Sequence, residues 1–238
     1  MRIVFMGKVI AAIQCALYGA MGSNLALAQV DEGQMGAWYI YTFDAHPPNK
    51  QWGVRGDIQH RNWDIDGDLE QLLIRGGVSF RPESLPGTYT VGFAHITSGQ
   101  FGASDATSTE YRAYQEADFG YRLGSRLRLG HRLRYEQRWV DGQDFRTRYR
   151  YMLSATLPIN AVEMRSGTWY ASAYNELFIN GERHIGRGVR VDAFDRNRLY
   201  AALGYVVSGR TQIRLGYMHQ HTDNIDKGQL QFSLHHRF

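Results

Sequence analysis

Apolar and polar side chains take turns along this chain with a period of two, from about residue 36 to the C-terminus. Trp52, Val54, Gly56 and Ile58 oppose Arg55, Asp57, Gln59 and Arg61. Leu72, Ile74, Val78 and Phe80 alternate with Gln71, Arg75, Ser79 and Arg81, and Tyr89, Val91 and Phe93 alternate with Thr88, Thr90 and Gly92. The same beat runs through 111–122, 126–139, 145–157, 168–179, 196–207 and 211–221. In the last segment Leu230, Phe232, Leu234 and His236 lead onto the terminal Phe238. Successive side chains of a strand point to opposite faces, so this period predicts strands with one greasy face and one polar face. Ordinary strands average about five or six residues, whereas these runs are roughly 10–14, long enough for the ~9–11 of a tilted membrane strand.

The expected fold is all-β: an antiparallel transmembrane β-barrel of ten to twelve strands with a polar, Arg-rich lumen. Counting 36–43 as a strand gives eleven. Single-chain bacterial barrels have even numbers, so either one strand is miscounted or a further strand lies around Val30; twelve is preferred. Short turns at 123–125 and 208–210 and longer polar loops at 99–108 and 180–192 fit periplasmic and extracellular ends respectively.

The polar face carries charge. Arg112, Glu116, Asp118 and Arg122 line one strand, and Arg126, Arg128, Arg132, Arg134, Glu136 and Arg138 the next. A turn at 123–125 predicts Glu116 opposite Arg132, Arg112 opposite Glu136, Phe119 against Leu129 and Tyr121 against Leu127, and the loop at 140–144 then sets Glu136 opposite Arg148. The expected lumen network is Arg112, Glu116, Asp118, Arg132, Arg134, Glu136, Arg146, Arg148, Arg150, Glu176, Arg196 and Arg198. Small barrels fill their interiors with side chains, and buried charges need partners, so the first reading is a structural plug. Arg outnumbers Asp and Glu here, so the functional reading of the same residues is a narrow, anion-favouring passage for small solutes.

The N-terminus changes the picture. Arg2 and Lys8 precede a mostly apolar stretch at 9–21, and Ala26-Leu27-Ala28 is a small-x-small cleavage site before Gln29. This predicts a secretory signal peptide at 1–28 and a mature domain at 29–238. The single cysteine, Cys15, lies within the leader, so the mature chain has no disulfide, thiolate nucleophile or cysteine-based metal site. Outside the leader no run of ~18 apolar residues would make a membrane helix. The mean hydropathy of −0.43 is compatible with a barrel wall, whose two faces average out. Of the net charge of +4, Arg2 and Lys8 supply two, which weakens the argument for a nucleic-acid partner; none is expected.

Catalytic signals are weak. No G-x-S-x-G elbow occurs, and His95, His131, His219 and His236 all fall on the lipid-facing parity. His219-x-His221, His235-His236 and the run Asp64-Ile65-Asp66-Gly67-Asp68 lack the further ligands of a metal site. No cofactor is expected. A lipid- or lipopolysaccharide-modifying enzyme and a soluble periplasmic ligand-binding barrel stand as alternatives to the structural or passive-passage reading.

Several blocks go beyond generic alternation. They are Phe194-Asp195-Arg196-Asn197-Arg198-Leu199-Tyr200, Leu203-Gly204-Tyr205, Leu215-Gly216-Tyr217-Met218-His219-Gln220, Arg146-x-Arg148-Tyr149-Arg150 and Tyr174-Asn175-Glu176-Leu177-Phe178. Together, over residues 36–238, they resemble the bacterial outer-membrane family catalogued as domain of unknown function 2490, with Arg196 standing where that family more often carries Gln. The resemblance implies an outer-membrane barrel and brings no activity and no catalytic residues. In the 194–200 block, Asp195 and Asn197 are expected to bond backbone at the strand mouth, and Arg196 and Arg198 to reach Glu176. The terminal Phe238 resembles the assembly signal of bacterial outer-membrane barrels. Expected partners are membrane lipid, lipopolysaccharide and the barrel assembly machinery, with the barrel monomeric or weakly oligomeric in the outer membrane of a Gram-negative bacterium.

Overall fold

The computed structural model describes residues 34–65, 67–102, 104–224 and 226–238. The expected leader and the expected strand around Val30 lie outside the described residues. Eleven strands follow one another: β1 (Gly36–Ala45), β2 (Trp52–Asn62), β3 (Leu69–Phe80), β4 (Thr88–Gly99), β5 (Thr107–Leu123), β6 (Leu127–Val140), β7 (Arg146–Pro158), β8 (Trp169–Asn180), β9 (Phe194–Val206), β10 (Thr211–His221) and β11 (Asp226–Arg237). Each pairs with the next in antiparallel fashion, and β1 closes on β11, so every strand of the barrel has two neighbours.

The count of eleven falls within the expected range but not on the preferred twelve. With an odd number of alternating strands the first and last run the same way, and their seam must be parallel; Trp38 pairs with Gln231 and Tyr41 with Leu234. β1 is hydrogen-bonded to both β2 and β11, which leaves no edge for a twelfth strand to fill. The seam also sends the two ends of the barrel sequence to opposite rims. The N-terminal rim holds the start of β1 and the loops at 63–68, 100–106, 141–145, 181–193 and 222–225. The C-terminal rim holds Phe238 and the turns at 46–51, 81–87, 124–126, 159–168 and 207–210. The two short turns expected from sequence do share one rim and the two long loops the other. The ten-residue connection at 159–168, however, joins the short set.

The β5–β6 hairpin corrects the expected register. Its turn occupies 124–126, with Gly124 in the left-handed region at φ 64°. Glu116 therefore pairs with Arg134, Arg112 with Arg138, Phe119 with His131 and Tyr121 with Leu129. This is a slip of two from the predicted pairing. A slip of two moves no side chain to the other face, so the face pattern alone does not distinguish the two registers. The β6–β7 pairing of Glu136 with Arg148 is as expected.

The polarity of the barrel is inside out. Val91 is 64% exposed, Leu215 53% and Leu203 49%, all on the outer wall, while Arg134, Glu136, Arg148 and Glu176 are buried within. Two devices help the lumen to pack. Tyr114 lies across Gly92 on β4 and Tyr170 across Gly204 on β9, where a Cβ would meet the ring at 2.4 and 2.2 Å. Only glycine lets a tyrosine lie flat against the neighbouring strand at these two places.

Candidate functional site

The lumen gathers the inward faces of the strands, most of them charged, into one space. All twelve residues expected there lie on inward-facing positions, alternating with the exposed wall. Ten of them, all but Arg146 and Arg198, take part in a continuous chain of ion pairs. Arg196 Nη2 reaches Asp195 at 3.2 Å, and Asp195 takes Arg148 at 2.8 Å. Arg148 bonds Glu136 at 2.7 Å, and Glu136 takes Arg150 at 2.6 Å. Arg150 shares Glu176 with Arg132, at 2.6 and 2.7 Å. Toward the C-terminal rim, Glu116 is bound by Arg134, Asp118 accepts from Arg55 at 2.6 Å, and Asp57 accepts from Arg75 Nε at 2.7 Å. Toward the other rim, Glu110 holds Arg112 and Arg138, at 2.6 and 2.5 Å.

Aromatic rings extend the chain where carboxylates run out. The Arg198 guanidinium sits 4.8 Å from the centroids of both Trp38 and Phe178. Arg61 lies 3.8 Å from the Trp38 ring centroid, and Arg150 lies 4.4 Å from Phe178. Stacking against the ring quadrupole stabilises a guanidinium that has no acid beside it. Arg198 and Arg196 do not reach Glu176 as the sequence suggested; both donate to Gln220 Oε1, at 2.8 and 3.5 Å. Arg146, like Arg198, has no ion pair among the described residues, and its Nε is buried without a partner.

Two lumen acids were placed elsewhere or missed by the sequence reading, and both owe their position to a bulge. Between β2 and β3 the register advances from Asn62↔Leu69 to Arg61↔Gln71, so Glu70 is the extra residue. Between β8 and β9 it advances from Ile179↔Phe194 to Phe178↔Arg196, so Asp195 is the extra residue. A bulge turns a side chain that strict alternation would send outward. Glu70 accepts the Trp38 indole N–H at 3.0 Å, and Asp195 serves the lumen arginines instead of capping the strand mouth. Asn197 faces outward and forms reciprocal amide bonds with Asn175, at 2.8 and 3.2 Å. Glu110, Asp57, Arg55, Arg61 and Arg75 were also absent from the expected set. Glu110 shares the parity of Arg112, and that parity was a sufficient signal.

The weak chemical motifs resolve into local structure. Asp64 Oδ1 accepts the Gly67 amide at 2.5 Å, as in a side-chain-stabilised turn. His131 lies outward between Phe119 and Tyr121, with Nδ1 2.8 Å from the Tyr151 hydroxyl. Ser79, His46 and Asp44 meet at the C-terminal rim. Both Ser79 and Asp44 contact the same ring nitrogen, Nδ1, at 3.5 and 3.2 Å, while Nε2 faces the Gln51 carbonyl. A nucleophile and an orienting acid need opposite nitrogens, so this trio is not arranged for acyl transfer.

A closed, mostly antiparallel barrel whose lumen is filled by paired arginines and carboxylates defines the class. Residues 35–231 match the family model described as protein of unknown function (DUF2490), and the chain belongs to that family. It is similar to an uncharacterized protein of Methylorubrum extorquens, with 26% identity over 208 residues, covering 84% of this chain and 83% of the relative. No solved structure matches.

Proposed function

We propose that this protein is a structural outer-membrane β-barrel, held in lipid by its wall and closed to solutes by its charged lumen. The observation that carries the reading is the inverted polarity of a barrel with no free edge. Soluble monomers rarely expose a contiguous apolar patch beyond a few hundred Å², whereas here the exposed apolar side chains encircle the wall on all eleven strands. Strands of 10–17 residues, tilted as in other barrels, span about 30 Å of wall, the thickness of a hydrocarbon core. Ring pairs mark both edges of this band. Trp52–Phe80 at 4.6 Å and Trp169–Tyr205 at 4.9 Å lie near the C-terminal rim, and Trp139–Phe145 at 5.4 Å near the other. Outward polar groups are paired along the wall, as hydrocarbon demands: Asn175 with Asn197, Gln115 with Gln137 at 3.4 Å, and His131 with Tyr151.

Closure of the lumen rests on burial toward the N-terminal rim. Gln229 and Met218 are 0% exposed and Glu136 1%, whereas side chains lining a water-filled channel would be wet. Phe238 stands exposed beside His236, with ring centroids 4.3 Å apart. Carbonate extraction and gel mobility with and without heating test the membrane reading. The protein should stay in the pellet and shift on boiling; release into the soluble fraction would leave the periplasmic barrel. In planar bilayers the intact protein should be silent, and steady conductance steps would overturn the plug in favour of passage.

A further inference from the structure

We propose that the C-terminal half of the lumen is a binding site for a small phosphate-bearing anion. Below the packed region the barrel opens into a cavity of about 360 Å³, floored by Tyr114, Arg134 and Met152 and reaching the C-terminal rim. The volume admits a phosphate group with a short organic substituent and excludes a polymer.

Charge pairing in this cavity is incomplete on one side only. Arg55, Arg75, Arg132 and Arg134 each hold a carboxylate. Arg210, Arg214 and Arg237 line the same cavity, and none has an ion pair among the described residues. They sit together because β10 pairs with β11 and the Arg237 amide donates to the Arg210 carbonyl at 2.8 Å. Arg214 is the innermost. Its Nε donates to His235 Nε2 at 2.9 Å and its Nη1 to Ser172 Oγ at 3.4 Å, both neutral acceptors. Accepting at Nε2 leaves the His235 proton on Nδ1, which lies 2.5 Å from Thr42 Oγ1. His235 thus orients the guanidinium without neutralising it. Beside it, Gln212 accepts the Tyr170 hydroxyl at 3.1 Å, which leaves its amide N–H groups free to donate into the cavity.

Arg210, Arg214 and Arg237 line one cavity without ion pairs among the described residues, and the acid across from Arg237, Asp44, is already held by Arg81 at 2.7 Å and by His46 at 3.2 Å, so this side calls for an anion of more than one charge. Planar N–H forks match phosphate oxygens in number and direction, whereas a monocarboxylate satisfies one fork alone. The same group reaches the site from two sources, a free phosphate ester or a phospholipid head at the rim, where Arg210 and Arg237 are exposed. The site needs the closed barrel but not its membrane location, so its test is separate from carbonate extraction.

The test is calorimetric titration of inorganic phosphate into the refolded protein at low ionic strength, in an uncharged sugar-based detergent. A parallel arm uses micelles of that detergent doped with phosphatidylglycerol. Saturable one-to-one binding of phosphate is expected, weakened about tenfold by Arg214→Gln and several-fold by Arg237→Gln. Arg183→Gln, at the opposite rim, should leave it unchanged. Saturation by doped micelles alone, lost in Arg214→Gln, supports the site and assigns the lipid source. Heat-modifiable mobility verifies that each variant folds, and Arg237→Gln on the exposed rim carries the test if Arg214→Gln does not. Failure of both probes to saturate, or equal weakening by Arg183→Gln, would overturn the proposal.

Discussion

Glu136 within the lumen and Glu163 in the turn between β7 and β8 have the same hydrogen-bond inventory. Glu136 takes two bonds from Arg148 and one from Arg150, at 2.6–2.9 Å. Glu163 takes two from Arg122 and one from Arg128, at 2.7–3.1 Å. Their surroundings differ: the Glu136 side chain is 2% exposed and that of Glu163 57%. At the rim, water and salt screen the charges and solvate any arginine left behind. Within the lumen an arginine that loses its acid stays buried and uncompensated. The same three bonds are therefore a structural necessity in one place and an incidental contact in the other.

The sharpest way to break this comparison is truncation. Glu136→Ala leaves Arg148 with Asp195 alone and Arg150 to share Glu176 with Arg132, so the buried network loses a charge it needs, and the change should cost on the order of 3–5 kcal/mol in urea unfolding of the refolded barrel. Glu163→Ala in the same assay is the control, and equal losses would mean that the lumen is wetter than its burial implies. Leu133→Arg tests the other side of the wall. This half-exposed residue lies mid-strand in β6, opposite Ala117 and Tyr151. In lipid bilayers the substitution should cost roughly 2–4 kcal/mol; a neutral result would deny hydrocarbon around the barrel.

Asp195→Asn sharpens the comparison within the lumen. Arg148 keeps Glu136 and Arg196 keeps Gln220, so the loss should be smaller, about 1–3 kcal/mol, again by urea unfolding. The smallest effect belongs to Glu163. Hydrogen bonds from Arg122, and secondarily the charges of Arg122 and Arg128, hold its carboxyl below the ordinary value of 4.5. A carboxyl lowered in the folded state contributes above its unfolded pKa, and the contribution fades as pH falls through the folded value. Thermal midpoints of the wild type and Glu163→Ala should therefore nearly coincide at pH 7 and converge fully in acid. A gap that widened in acid would reverse this assignment.

Much of this architecture was legible before any coordinates. The alternation of Leu129, Leu133 and Tyr135 with Arg128, Arg132, Arg134 and Glu136 assigned each side chain to the wall or the lumen. It did so because a strand has only two faces. The same logic gave most strand boundaries to within a residue or two, though β5 begins at Thr107 rather than 111; the pairing of Glu136 with Arg148 came from the length of the loop between them. Alternation failed at Glu70 and Asp195, where a bulge inserts one residue and turns a carboxylate inward; the insertion shows only against the neighbouring strand. It also failed at the β5–β6 hairpin, because slipping by two residues leaves both faces unchanged.

By itself, then, the sequence determined which residues meet the lumen and which the outer wall, since that depends on local geometry repeated along the chain. Only the tertiary structure decided that eleven strands close through a parallel seam. It also decided which acid satisfies which arginine, and that Arg210, Arg214 and Arg237 line one cavity with no ion pair among the described residues. Those outcomes depend on register and closure among strands distant in sequence, and a two-residue period carries no information about either.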